Sequence, residues 1–220
     1  AATSGPYTYT VADNKATITE FDTTYSGALS ITNELGGCPV TSIGHSAFFD
    51  CKSLTAVTIP ASVTSIGESA FSSPSITAIN VSENNPNYAS FDGSLFNKDL
   101  TTLLQCPPAF FGHYTITNSV TSIGDGAFAG CWSLSSVSLP GGVTNIGASA
   151  FANCNMLSSV VIPDTVDSIG DQAFEYCYTL ASVLFTGNVP SSLSATAFDG
   201  ISPTIYYLPG ATGWDAPVNF

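Results

Sequence analysis

The sequence predicts a β-rich solenoid from three observations: a unit that returns every 23 residues, apolar side chains at fixed offsets inside it, and a proline that closes one apolar run in most units. Val40-Thr-Ser-Ile43-Gly44-His-Ser-Ala47-Phe48 returns as Val63-Thr-Ser-Ile66-Gly67-Glu-Ser-Ala70-Phe71. It returns again around Gly124, Gly147 and Gly170, each 23 from the last, and Cys131, Cys154 and Cys177 keep the same interval. Gly67 and Gly124 are 57 apart, one period plus a 34-residue excursion. A single unit of this size cannot bury its own apolar face, so stacked coils must supply the core.

In chain order, residues 1–39 read as a cap. Alternation at Tyr7, Tyr9 and Val11, then at Ala16, Ile18 and Glu20, around Asp13-Asn14-Lys15 predicts a β-hairpin. Ala28-Leu29-Ser30-Ile31 has the strand half of a unit without the other half. The repeats span 40–188. Within one unit Leu54, Val57 and Ile59 point inward and Ala56 and Thr58 outward, by the two-residue period of a strand. Pro60, which has no N–H for a ladder, ends that strand. Val63 and Ile66 begin a second inward edge, and Gly67 permits a sharp turn or a close backbone approach. Ala70-Phe71 is expected to form one short helical turn. The second unit is one residue short, with Pro74 where the column has cysteine, which predicts distortion beside an insertion at about 80–119. Residues 189–220 read as a second cap, in which Ile205-Tyr206-Tyr207-Leu208-Pro209 repeats the strand-then-proline pattern and Trp214 covers the last layer. Such caps suppress edge-to-edge association. The whole of 1–220 is expected to be a single repeat domain.

Composition narrows the function classes. Three Lys and no Arg stand against 16 Asp+Glu, a formal net charge of −13, and only 9 % of residues are charged. With 44 % hydrophobic residues the chain is not of the disordered type. Nucleic-acid binding needs clustered cations to displace counterions from phosphate, and anionic membrane surfaces need the same, so neither partner is expected. No apolar run approaches the ~20 residues of a membrane-spanning helix, so no membrane insertion is expected. The start, Ala1-Ala2-Thr3-Ser4-Gly5, lacks an initiator Met and a charged-then-apolar signal segment, and reads either as a processed end or as an artificial boundary.

The runs Val-Thr-Ser-Ile-Gly-x-x-Ala-Phe, followed by Cys51…Leu54…Val57-Thr-Ile59-Pro60 and its partners Cys131…Leu134…Val137-Ser-Leu139-Pro140 and Cys154…Leu157…Val160-Val-Ile162-Pro163, resemble the BspA-like class of bacterial leucine-rich repeats. The insertion from Asn85-Pro86-Asn87-Tyr88 to Asn97-Lys98 resembles a variant coil of that class, and Tyr207-Leu208-Pro209-Gly210…Gly213-Trp214 resembles its frequent end segment. The resemblance implies a leucine-rich-repeat solenoid with short parallel strands, of the kind carried by surface and secreted proteins implicated in adhesion.

Catalytic and metal motifs are weighed against the repeat itself. Gly44-His45-Ser46-Ala47 resembles a nucleophile elbow, but Phe48 stands where the motif needs glycine, and other units place unrelated residues at the same two positions. The two histidines, His45 and His113, fit no zinc-ligand spacing and read as solvated surface groups. Cys51, Cys131, Cys154 and Cys177 share one column, where parallel side chains roughly 5 Å apart seldom reach disulfide geometry, so they read as buried free thiols. Cys38 and Cys106 fall outside the column and remain a candidate pair. The Asn and Asp of the insertion match no calcium loop and read as turn formers. No cofactor, metal or catalytic residue is assigned, and the chain is read as a non-enzyme.

The outward strand positions carry the candidate ligand-binding residues: Ala56 and Thr58, Ser136 and Ser138, Ser159 and Val161, Ser182 and Leu184. This face is small, uncharged and mildly apolar. It is expected to bind a protein partner, either here or through the insertion, as an adhesion module of a bacterial surface or secreted protein, with a monomer favoured. A carbohydrate-binding module is the alternative, and Trp132, Tyr176, Tyr178 and Tyr88 are the aromatics that would stack on sugar rings. A third reading is ice binding by the row Thr41, Thr64, Thr121 and Thr144, which Asp167 interrupts.

Overall fold

A computed structural model describes residues 1–214. The chain is a β-solenoid that divides into two compact units, one of residues 1–99 and 106–109, the other of residues 100–105 and 110 onward. Most coils contribute one rung to each of two strand columns, and in the second unit one of these columns has the shorter rungs. The cap expected over 189–220 extends past the described residues.

The first unit opens with an antiparallel hairpin, Tyr7–Ala12 against Lys15–Phe21, flanked by Ala2–Ser4. Asp13 and Asn14 make its turn at φ 50° and 57°, the left-handed region that Asp and Asn tolerate best after glycine. Lys15–Phe21 then pairs in parallel with Cys38–Ile43, which pairs with Ser65–Ile66. The other column is Gly27–Ser30, Leu54–Ile59 and Ala78–Val81, with Leu29 beside Val57 and Val57 beside Ile79. Phe21, Phe48 and Phe71 follow one another through the core at 4.8 and 5.3 Å between ring centroids.

The second unit is more regular. Its short column runs Thr102–Gln105, Ser122–Ile123, Asn145–Ile146, Ser168–Ile169 and Ser192–Leu193, all parallel. Its longer strands pair as Phe111–Thr115 with Ser133–Ser138, and as Ser159–Ile162 with Ser182–Phe185 and Thr204–Tyr207. Phe128, Phe151, Phe174 and Phe198 form a nearly parallel stack with ring centroids 4.8, 5.1 and 5.2 Å apart. Trp214 lies against Phe185 at 4.7 Å and parallel to Tyr207 at 5.3 Å, and its Nε1 donates to the Gly187 carbonyl.

The Ala-Phe segments depart from expectation: no helical turn forms there. In the coil after Gly44, Ala47 N donates to Gly44 O and Phe49 N to Ser46 O, which are isolated three-residue turns. Ser46 and Asp50 sit at positive φ, which ends a helix before it starts. The N–H groups a helix would use point along the stack instead: Ser46 N donates to Glu68 O and Phe48 N to Ala70 O of the next coil. The same pattern joins Phe128 to Ala150 and Phe151 to Ala173. Tertiary hydrogen bonds thus win over the local spacing.

The repeat glycine is fixed by crowding rather than by conformation. A Cβ on Gly170 would lie 2.6 Å from Ala148 N and 2.9 Å from Gly147 C, the backbone of the coil before it. The short second unit also differs from its reading. Pro74 is exposed, and Ser73, fully enclosed, takes the buried place of the column cysteine between Phe71 and Ile76 along the chain. The missing residue falls in the turn, where Ser73 N donates to Phe71 O instead of reaching one residue further back.

Candidate functional site

The strand face of the second unit is built by pleat alternation. Leu134 and Val137, Val160 and Ile162, and Val183 and Phe185 are buried, so their neighbours stand outward. Register then places Ser159 beside Ser182 and Val161 beside Leu184. Ser136 and Ser138 occupy the outer positions of the strand Ser133–Ser138. Ala56 and Thr58 belong to the first unit, where they face Ala28 and Ser30 on one side and Ala78 and Asn80 on the other.

The structure extends both rows with residues the repeat pattern did not reveal. Thr204 continues the hydroxyl row from Ser182, and Tyr206 continues the apolar row from Leu184. Val161 and Tyr206 are about half exposed, so Val161, Leu184 and Tyr206 form an apolar stripe beside Ser159, Ser182 and Thr204. At the other edge, His113 stands beside Ser136 and Thr115 beside Ser138. The strand Phe111–Thr115 lacks the Leu-x-x-Val-x-Ile signature, which is why the repeat did not place it. The strand-then-proline pattern at 205–209 was the signal for Tyr206.

His113 is exposed but not free. Its Nδ1 is 2.7 Å from Ser136 Oγ, and Ser138 Oγ lies 3.1 Å from Nε2. Both ring nitrogens therefore meet hydroxyls, an arrangement that lacks the carboxylate that orients a nucleophile–base pair. His45 is exposed, and the Ser46 beside it sits at φ 53° in an ordinary coil turn. Among the described residues no group of three His, Cys, Asp or Glu is placed to hold a metal ion.

The cysteines are unbridged. Cys131, Cys154 and Cys177 are buried, and Cys154 Sγ donates to Phe128 O at 3.2 Å and Cys177 Sγ to Phe151 O at 2.9 Å, each across to the preceding coil. Burial pushes the Cys154 thiol well up. Burial first, then the charges of Asp50 and Asp22, push Cys51 up to about 11. The Cys51 and Cys154 thiols, held in this state, are structural, while the hydrogen bond with Cys154 lowers Cys177.

The insertion is anchored by one residue. Asn85 is completely buried; its Nδ2 donates to Pro60 O and Val63 O, both at 2.9 Å, and its Oδ1 accepts from Asn87 N at 2.9 Å and Tyr88 N at 2.8 Å. Beyond it the hairpin Tyr88–Phe91 and Ser94–Asn97 turns at Asp92-Gly93. The threonine row is also engaged: Thr64, Thr121 and Thr144 donate their hydroxyls to the carbonyls of Thr41, Thr101 and Thr121. A shallow groove along the short strands is lined by Asp125, Asn145, Ser168, Asp171 and Ser194. Its carboxylates are used locally, Asp125 Oδ1 accepting from Ala148 N at 2.8 Å and Asp171 Oδ1 from Ser194 Oγ. The three lysines, Lys15, Lys52 and Lys98, all lie in the first unit, so the second carries no side-chain cation other than a protonated His113.

Stacked coils with parallel strands on one side and tight turns opposite define a leucine-rich-repeat scaffold. The family model for the BspA type leucine-rich repeat region matches residues 22–105 and 110–210, in 6 copies. The chain belongs to that family. Among solved structures, it is similar to a leucine-rich repeat protein from Eubacterium ventriosum, at 29 % identity and a TM-score of 0.60, over 72 % of this chain and 42 % of that one. It shares its fold with the pneumococcal vaccine antigen PcpA, at 23 % identity and a TM-score of 0.59, over 80 % of this chain and 51 % of that one. The chain thus spans about half or less of the length of these two proteins. No curated protein matches it.

Proposed function

We propose that this chain is a non-catalytic binding and adhesion module of a bacterial surface or secreted protein, which takes a protein partner on the strand face of its second unit. The observation that supports this is the stripe Val161, Leu184 and Tyr206, apolar and solvent-facing although the core does not need it, with the hydroxyls of Ser159, Ser182 and Thr204 alongside. An apolar centre with a hydrogen-bonding rim is the anatomy of a protein interface. Membership of a repeat family carried on surface scaffolds supports the location. Among the described residues no helix is long and apolar enough to cross a membrane.

The test is a screen of extracellular-matrix and host-surface proteins at low and physiological salt. Saturable binding abolished by Val161→Arg and Leu184→Arg supports the reading and locates the face. Binding that survives both substitutions but is lost when the hairpin tip Asp92-Gly93 is altered moves the contact to the insertion. Silence against every protein removes the adhesion reading.

A further inference from the structure

The edge of the second unit formed by its tight turns carries aromatic rings that neither the core nor the strand face uses. Trp132, Asn155 and Tyr178 each follow the column cysteine in three successive coils. Trp132 is 54 % exposed and Tyr178 68 %. The core beneath is already closed by the stacked phenylalanines and buried thiols, so these rings are not there to fill it.

Tyr176 supplies an independent observation. It adopts φ 55°, a left-handed conformation that is costly for a bulky side chain. The same turn position in four other coils holds Asp50, Gly130, Asn153 and Gly200, the residue types that tolerate it. The neighbouring coil also makes room, since a Cβ on Gly200 would lie 2.5 Å from Tyr176 Cδ1. The outcome of this strain is a ring that remains 41 % exposed and stacks on Tyr178 at 5.8 Å, with 28° between the planes. Strain kept at an exposed ring points to use of the ring.

We propose that this edge binds an extended, uncharged, β-linked polysaccharide, with Trp132 as one stacking platform and the Tyr176–Tyr178 pair as the other. The C–H faces of pyranose rings are apolar and weakly positive, and they stack on the negative face of an aromatic ring. Two coil steps, about 10 Å, separate the two platforms along the stack. In an extended β-1,4-linked chain alternate sugars present the same face, and their repeat matches that separation. Between the platforms stands Asn155, whose Oδ1 has no hydrogen-bond partner, so turning the amide outward to a sugar hydroxyl breaks no bond at that oxygen. The ligand is uncharged because this unit has no lysine or arginine, while Glu175 precedes Tyr176 in the chain and Asp199, whose carbonyl accepts from Tyr176 N, lies in the next coil. Uronate and sulfated chains are repelled by that field.

The test is calorimetric titration of the whole chain with hexasaccharides of β-1,4-linked glucose, mannose, xylose and N-acetylglucosamine, with maltohexaose as the shape control and hyaluronate oligomers as the charge control. Binding to at least one neutral β-linked chain is expected, weakened about tenfold or more by Trp132→Ala and by Tyr178→Ala. Tyr176→Asn separates function from structure: it is expected to weaken binding several-fold while raising Tm, because asparagine relieves the backbone strain. No binding at millimolar ligand overturns the proposal, as does binding unchanged in Trp132→Ala, a preference for hyaluronate or maltohexaose, or a Trp132-dependent protein partner in place of the sugar. Val161→Arg leaves sugar binding intact, so failure here and failure of the strand-face reading are told apart.

Discussion

Replacing Asn85 tests whether a single side chain ties the insertion hairpin to the coil before it. The amide uses its full complement of two donors and two acceptor sites, on Pro60 O, Val63 O, Asn87 N and Tyr88 N, with no solvent contact. Asn85→Ala leaves two carbonyls and two N–H groups without that partner. At roughly 0.5–1.5 kcal/mol net for each of the four hydrogen bonds, the loss is about 2–6 kcal/mol, toward the lower end if water enters the space. Urea denaturation followed by far-ultraviolet circular dichroism reads it as a lower midpoint at unchanged slope. Asn85→Asp sharpens the test, because it keeps the two acceptor bonds but turns a carboxylate oxygen toward the Pro60 and Val63 carbonyls. Burial raises that carboxyl's folded-state pKa above its unfolded value, so the native state binds more protons and the variant regains stability as pH falls. If Asn85→Ala shifts stability by less than about 0.5 kcal/mol, the anchoring role is wrong.

Phe151, stacked between Phe128 and Phe174 and fully buried, is expected to cost about 3–5 kcal/mol as alanine, whereas Ser159→Ala on the exposed face stays within about 0.5 kcal/mol; denaturation midpoints compare the two. Ser73→Cys restores the cysteine column and removes a buried hydroxyl that has no partner, so it should stabilise by about 1 kcal/mol, and a lower Tm would contradict the assignment of Ser73 to that column. Cys51, with its pKa pushed up to about 11, stays a thiol in the folded state while the unfolded chain ionises from its ordinary value. Its contribution is therefore complete at neutral pH and is lost as pH rises toward 11, and iodoacetamide should label the half-buried Cys38 well before Cys51 at pH 8.

The sequence by itself determined the periodic features of this protein. A 23-residue interval puts Phe128, Phe151 and Phe174 over one another and aligns Cys131, Cys154 and Cys177, because neighbours in a stack are set by the repeat length, while the two-residue period of a strand divides Ser159 and Val161 from Val160 and Ile162. The tertiary structure decided what the interval does not encode. Helix-like spacing at Ala-Phe became turns once Phe48 N found Ala70 O in the next coil, and the repeat glycine proved to be a matter of backbone crowding across coils. A missing residue shifted the column from Pro74 to Ser73, since burial follows the backbone path and not the residue count. His113 between two serines, Asn85 with its four bonds and Tyr176 at positive φ are likewise invisible to periodicity. Each depends on irregular backbone meeting a specific neighbour, and that meeting exists only after the coils have stacked.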